Sequence, residues 1–305
     1  MNYLLFGVKY GQSVFMNNSN QDLISVIIPC FNSGNTIKRT VESIRNQSWL
    51  QKEIIIVNDG SNEKKTLEIL KNLDHIKIIN QQNNGLSSAR NKGAINSSGK
   101  FLLFLDADDW LEPNALELMY SQLFINEEKT FVFSDIKLEG ESQNIIKKEY
   151  NFFEQLFLNQ IPYCILISKN NWLKAGGYDE NMRSGYEDWE FNIRLGSKGI
   201  KGVRIKLPLF HYSVNSSGML ISKSSKQHTK IWKYIQNKHK NLYQIKTLIE
   251  VWITWKDKLS TYPLFIFFIW FAFSKILPER FFTSLFIFFR NKKWLIVRGN
   301  INQIN

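Results

Sequence analysis

Four short apolar runs, ISVII (24–28), EIIIV (53–57), HIKII (75–79) and FLLFL (101–105), constrain this chain more than any other feature. Five residues without polar alternation read as a strand buried on both faces, the habit of parallel sheets covered by helices. Between the runs lie helical periods: Ile37, Val41 and Ile44 share one face of TIKRTVESIRNQ (36–47), Leu67, Leu70 and Leu73 line the next helix, and a third starts near Leu86. Strand and helix in alternation predict right-handed crossovers and an α/β fold, with a mostly parallel central sheet and helices on both faces. Ligands of such sheets bind beyond the carboxyl ends of the strands. Here those ends read PCFN, NDGSN, NQQNNG and DADD, which the topology gathers on one rim.

The last of these is the most demanding. Asp106, Asp108 and Asp109 crowd three carboxylates against the end of a buried strand, and each holds its charge only beside a compensating cation. Mn²⁺ or Mg²⁺, bound by one or two carboxylates and completed by phosphate oxygens and water, supplies that compensation. The pattern therefore predicts a metal and a phosphate-bearing ligand. Asp109 has a plainer alternative, as the cap of a helix beginning through Pro113 and Asn114.

Beyond residue 130 the pattern is less regular, with strand candidates in FVFSDI and YCILIS, a turn at Gly176 and Gly177, and a helix from Asp188. The stretch GYEDWEF holds a second carboxylate pair, Glu187 and Asp188, of the kind general acid–base chemistry needs. Trp189 reads as a core residue.

Taken in order, SVIIPCFNSGNTIKRTVESIRNQS, EIIIVNDGSNE, NNGLSSARNKG, FLLFLDADD and GGYDENMRSGYEDWEFNIRL resemble the motifs of glycosyltransferase family 2, whose fold is GT-A. The resemblance covers residues 23–220 and includes the family's Asp-x-Asp motif. It implies that Pro29 and Phe31 lie along the nucleotide, that Asp59 accepts from a uracil N–H, and that Asn84 and Arg90 line the nucleotide pocket. Asp106 would face the ribose or a metal-bound water, Asp108 would ligate the metal, and Asp188 would act as general base with Glu187 in support. His211 lies where some relatives place a histidine metal ligand. One departure stands out: the family often has an arginine after the tyrosine at Tyr212, where this chain has Ser213, with Lys223 or Lys226 as substitutes.

Charge divides the chain. Residues 1–220 carry 24 Lys plus Arg and 24 Asp plus Glu, whereas residues 221–305 carry 15 and 3, so the net +12 belongs to the tail. That tail is rich in Phe and Trp, yet its densest apolar run, Leu264 to Phe273, is half the length of a membrane span of about 20 residues. Three readings stay open: helices lying on an anionic membrane surface through 251–298, a cap packed on the body, or a contact between subunits of an oligomer. Nucleic acid is not the expected partner, since phosphate binding needs no such apolar clusters. Residues 1–22 read as a loose extension, with translation starting at Met16. Two cysteines, Cys30 and Cys164, and no signal pattern fit a cytoplasmic setting, with a peripheral membrane position open.

The expected function is an inverting, metal-dependent transferase that moves a sugar from a nucleotide diphosphate, a UDP-sugar in the main reading, to a glycan or lipid-linked acceptor of bacterial surface polysaccharide. Two alternatives remain: nucleotidyl transfer on a similar fold, and a sugar-nucleotide-binding protein without catalysis. The first would want a basic, glycine-rich loop after the first strand, and the second has no use for Glu187 and Asp188.

Overall fold

The computed structural model of the protein describes residues 22–140, 143–214, 228–258, 260, 262–278 and 281–284. The expectations for residues 1–21, for Lys223 and Lys226 and for the tail past 284 fall outside the described residues. Strands β1 (Ile24–Cys30), β2 (Lys52–Asp59), β3 (Lys77–Gln81) and β4 (Phe101–Phe104) alternate with helices α1 (Ile37–Arg45), α2 (Lys64–Lys71) and α3 (Leu86–Ile95). There follow β5 (Trp110–Leu111), α4 (Ala115–Phe124), β6 (Thr130–Gly140), β7 (Ile145–Ile146), α5 (Phe152–Gln155), β8 (Leu166–Ser168), α6 (Lys169–Ala175), α7 (Glu187–Ser197) and β9 (Lys201–Val214). Three helices complete the described chain: α8 (His228–Lys238), α9 (Ile245–Trp255) and α10 (Leu264–Ile276).

All strands join one sheet in the order β3-β2-β1-β4-β8-β6-β9-β5, with β7 on β6. The β3-β2-β1-β4 half is parallel, as is the β6–β9 pair, whereas β8 runs against both β4 and β6. Period-two alternation explains the unbroken apolar runs. Ile27, Leu102 and Phe104 enter the core with α5 and α7, while Val26, Ile28 and Leu103 enter the core with α1 and α4 on the opposite face. Pro29 is tolerated in a central strand because β4 ends at Phe104, opposite Ile27, so the ladder there asks no N–H of it.

Two details differ from the sequence reading. Strand β3 starts at Lys77 rather than His75, because His75 takes a left-handed turn at φ 58°. Helix α2 buries Thr66 and Leu70 and leaves Leu67 exposed, since it covers the edge of the sheet and needs only a narrow apolar stripe.

The tail helices share a core with the body. Trp232, Ile235, Leu248, Phe267 and Trp270 pack in one cluster with Phe153, Phe157 and Trp189, and Trp232 Nε1 and Tyr243 OH both donate to the Leu156 carbonyl, at 2.9 and 2.6 Å. Among the described residues no helix is long and apolar enough to cross a membrane.

Helix α3 lies close against β1 because Gly93 has no side chain: an added Cβ would come within 2.3 Å of Ile27 Cγ2. The replacement Gly93→Ala is expected to destabilise the protein by about 1–3 kcal/mol through overpacking, read as a lower denaturant midpoint with an unchanged slope.

Candidate active site

The acidic loop after β4 is held from several sides. Asp109 N donates to the Asp106 carbonyl at 3.1 Å, closing a tight turn, and the Thr40 hydroxyl of α1 lies 3.0 and 2.8 Å from the carbonyls of Ala107 and Asp109. Arg39 donates to the Asp108 carbonyl at 2.6 Å and to the Ser213 hydroxyl at 2.9 Å, so the exposed guanidinium joins the loop to the end of β9. Asp109 does not cap α4, whose N-cap is Asn114. It is buried instead, accepting from Ser213 N at 2.7 Å and from the Tyr163 hydroxyl, which also accepts from Asp106 N. Burial first, then Asp108 and Asp106, push the Asp109 carboxyl well above its usual range.

Asp108 is less enclosed, and burial together with Asp106 raises it to about 6. The Arg39 contact reaches its carbonyl rather than its carboxylate. Two carboxylates raised or crowded in this way fit a hard divalent cation, whose charge would relieve both. Among the described residues no set of three or more His, Cys, Asp or Glu side chains is arranged to hold a metal by itself. A cation at Asp106 and Asp108 would thus take further ligands from outside the chain, as phosphate-bound Mg²⁺ does.

Arg90 is the surprise of the site. It is 1% exposed, donating from Nη2 to Asp106 Oδ1 at 2.7 Å and from Nη1 to Glu187 Oε1 at 2.6 Å. Its guanidinium carbon lies 4.8 and 5.3 Å from the ring centres of Tyr163 and Tyr178. Burial alone would lower its pKa, but Asp106 and Glu187 outweigh that and hold it well above the ordinary value. The expectation of a cation lining the nucleotide pocket is therefore corrected: both terminal nitrogens are spent on carboxylates. The neighbouring Asn91 ties GGYDE to the same helix, donating to the Tyr178 carbonyl at 2.8 Å and accepting from Tyr178 N at 2.7 Å.

Along the rim Pro29 is buried, Phe31 is 47% exposed and Asn84 is exposed. Asp59 is buried at the end of β2, and its oxygens accept from Gln81 Nε2 and Asn84 N at 2.8 Å and from Gly85 N at 2.9 Å. It pins the loop ahead of α3, and Oδ2, with a single partner among these bonds, keeps a lone pair for another donor. Asn32, missed in the sequence reading, takes the left-handed φ of 50° and accepts from Asn62 N and Glu63 N, binding the loop after β1 to the loop after β2. An Asn directly after a strand-end aromatic was the available signal.

The second carboxylate pair opens α7, where the helix dipole favours acids. Glu187 is buried on Arg90. Asp188 is half-buried, accepting from Asn159 Nδ2 at 2.9 Å and from Trp189 N at 2.8 Å. Burial, then the Glu187 charge, raises it to about 7. Trp189 is fully buried, with Nε1 on the Gln155 carbonyl.

His211 is not placed to ligate a metal beside Asp108. It is fully buried, stacked on Trp110 at 3.3 Å between ring centres, with Nδ1 2.9 Å from Glu139 Oε1 and Nε2 2.7 Å from Glu112 Oε1. The pairing of His211 with Trp110 on β5 and with Lys137 on β6 brings Glu112 and Glu139, each two residues further along, to the two ring nitrogens.

Strand-end loops of a parallel half-sheet, carrying an acidic loop and meeting a second carboxylate pair across a buried arginine, are the architecture of the GT-A fold class. The sequence profile of glycosyl transferase family 2 matches residues 25–186, and the chain belongs to that family. It is 40% identical over 219 residues to a Bacillus subtilis (strain 168) protein named as glycosyltransferase EpsH, covering 65% of this chain and 62% of that one. Against chondroitin synthase of Pasteurella multocida (strain Pm70) the identity is 28% over 186 residues, covering 58% of this chain and 19% of that one. The chain spans 30% or less of the length of the first curated relatives it matches. The fold is shared with S. aureus TarS 1-349 crystallised with UDP-GlcNAc, at TM-score 0.58 and 15% identity, covering 70% of this chain and 65% of that one.

Removing Arg90 leaves two carboxylates without their buried partner. The replacement Arg90→Met is expected to cost about 3–5 kcal/mol in chemical denaturation, and Arg90→Lys to recover only part of it, because an ammonium cannot span both carboxylates.

Proposed function

We propose that this chain is an inverting, metal-dependent glycosyltransferase of the hexosyltransferase type. It moves a sugar from a UDP-sugar to a glycan or lipid-linked acceptor in the assembly of a bacterial surface polysaccharide. The observation that carries this reading is the Arg90 bridge, which draws the acidic loop and the Glu187-Asp188 pair into one site. The UDP-GlcNAc complex of TarS supports the donor class, and the chondroitin synthase relative supports a polysaccharide product.

Asp108 and Asp106 would hold the ion, which when bound supplies positive charge against the departing diphosphate. Phe31 packs on ribose or base, and Asp59 turns its remaining lone pair toward a uracil N–H. Arg39 puts a cation beside Ser213, where the arginine after Tyr212 is lacking. Asp188 takes the proton of the acceptor hydroxyl as its oxygen bonds to the anomeric carbon from the face opposite the diphosphate. The bond from that carbon to the diphosphate oxygen breaks, and its electron pair leaves with UDP.

Rows of exposed apolar residues, Ile245, Ile249 and Ile253 on α9 and Phe265, Ile269 and Ile276 on α10, accompany the tail's positive charge. They suit an anionic bilayer surface, which would hold the enzyme beside a lipid-linked acceptor. Cosedimentation with phosphatidylglycerol vesicles at low salt is expected to fall in the double variant Ile249→Asp, Ile253→Asp, and equal recovery of both proteins in the supernatant removes the membrane from the proposal.

Titration calorimetry of UDP with Mn²⁺ is expected to show binding that Asp108→Ala weakens at least tenfold and Asp188→Asn leaves intact. Slow hydrolysis of UDP-sugars, which needs no known acceptor, is expected to fall about 10²- to 10⁴-fold in Asp188→Asn. Because burial raises Asp188, its proton-accepting form prevails only above about pH 7. Turnover should climb with pH through that value and level off above it, and UDP heats that ignore both Mn²⁺ and Asp108 would sink the reading.

A further inference from the structure

Between α5 and β8 the chain crosses from the second carboxylate pair to the acidic loop, and nearly every turn of that crossing is tied down. Trp189 Nε1 holds the Gln155 carbonyl at 2.6 Å, Trp232 and Tyr243 of the tail hold the Leu156 carbonyl, and Gln160 N donates to Gln155 Oε1 at 3.0 Å. At its far end the Tyr163 hydroxyl meets Asp109 and Asp106. Asn159 sits in the middle of this strap. Its Nδ2 lies 2.9 Å from Asp188 Oδ2, and its Oδ1, buried, finds no partner among the described residues. In its ionised, proton-accepting form Asp188 accepts and does not donate, so it is the amide nitrogen that meets that form.

We propose that Asn159 is a positioning residue for the transfer reaction: its side-chain amide grips one oxygen of Asp188, aiming the carboxylate and favouring its proton-accepting form. This rests on Asp188 being the base. The grip is stiff because the strap is packed between α7 and the tail helices, so the amide gives up little freedom in making the bond. With Oδ1 buried and without a partner among the described residues, the bond from Nδ2 to Asp188 is the one that orients the amide.

The groups facing Asp188 oppose one another. Glu187 on its own helix disfavours the charge, Arg90 from α3 favours it, and Tyr178 and Tyr212 lie within its field from the segment ahead of α7 and from β9. Arg90 is already shared between Asp106 and Glu187. Asn159 is thus the side chain whose loss should change Asp188 with least disturbance to the acidic loop.

The test uses the full chain with ¹³C-carboxyl aspartate, the Asp188 resonance being the one that Asp188→Asn removes. In the unaltered protein it should titrate near 7. Asn159→Leu, of similar size without the donor, should move the titration upward by about one to two pH units. Asn159→Asp, similar in shape but carrying a like charge, should also move it upward, and the rising limb of UDP-sugar hydrolysis should follow in both. A resonance that stays within 0.3 of its original midpoint in both folded variants overturns the proposal. Undiminished turnover in Asp188→Asn instead overturns the base assignment, whatever the resonance does, so the two failures are told apart.

Discussion

A guanidinium sealed from water survives only where carboxylates meet it, and Arg90 meets two. One lies at the end of β4, the other opens α7, and the arginine itself comes from α3. Helix α3 and the end of β4, neighbours in the chain, are therefore held to α7, where Glu187 lies 97 residues beyond Arg90, by a charge that has nowhere else to go. Stacking between Tyr163 and Tyr178 confines the guanidinium further, and Asn91 on the next position of α3 fastens the GGYDE segment. Buried ion pairs contribute little net stability, but breaking one is costly, which penalises any packing that separates these motifs.

The same arithmetic of charge distributes the three aspartates of the acidic loop into different roles. Asp106 has Arg90. Asp109 sits among Tyr163 and the Ser213 amide, with its carboxyl pushed well up by burial and by Asp108 and Asp106. Asp108, raised to about 6 by burial and by Asp106, is the carboxylate that a divalent cation would compensate in the proposed reaction. Asp188, raised to about 7 by burial and the Glu187 charge, lies in the first turn of α7, and it is the base of the proposed reaction. Burial raises both groups, with Asp106 adding to it at Asp108 and Glu187 at Asp188.

The basic tail takes part in this architecture through the strap after α5. Two of its aromatic side chains share the Leu156 carbonyl, and its core is continuous with that behind Trp189. The tail thereby helps fix the segment that reaches Asp188 and Tyr163. The apolar rows on α9 and α10 face away from that shared core.

Much of the fold was legible in residue order alone. Unbroken apolar runs marked β1, β2 and β4, Ile37, Val41 and Ile44 marked the buried face of α1, and paired glycines at 176 and 177, both with positive φ, marked the end of α6. These rest on local periodicity and backbone sterics, which a sequence carries within a few residues. The acidic loop and the Glu187-Asp188 pair were legible for a related reason, since the clustering of like charge is itself written in the order. What tertiary structure alone decided is partnership. Nothing near His211 announces Glu112 and Glu139, nothing near Arg90 announces Glu187, and Asn159 shows no pattern linking it to Asp188. Hydrogen bonds and ion pairs are set by distances of about 3 Å between atoms that the chain brings together only after folding. Residue types thus state what each position is able to do, and packing chooses which partner it does it with.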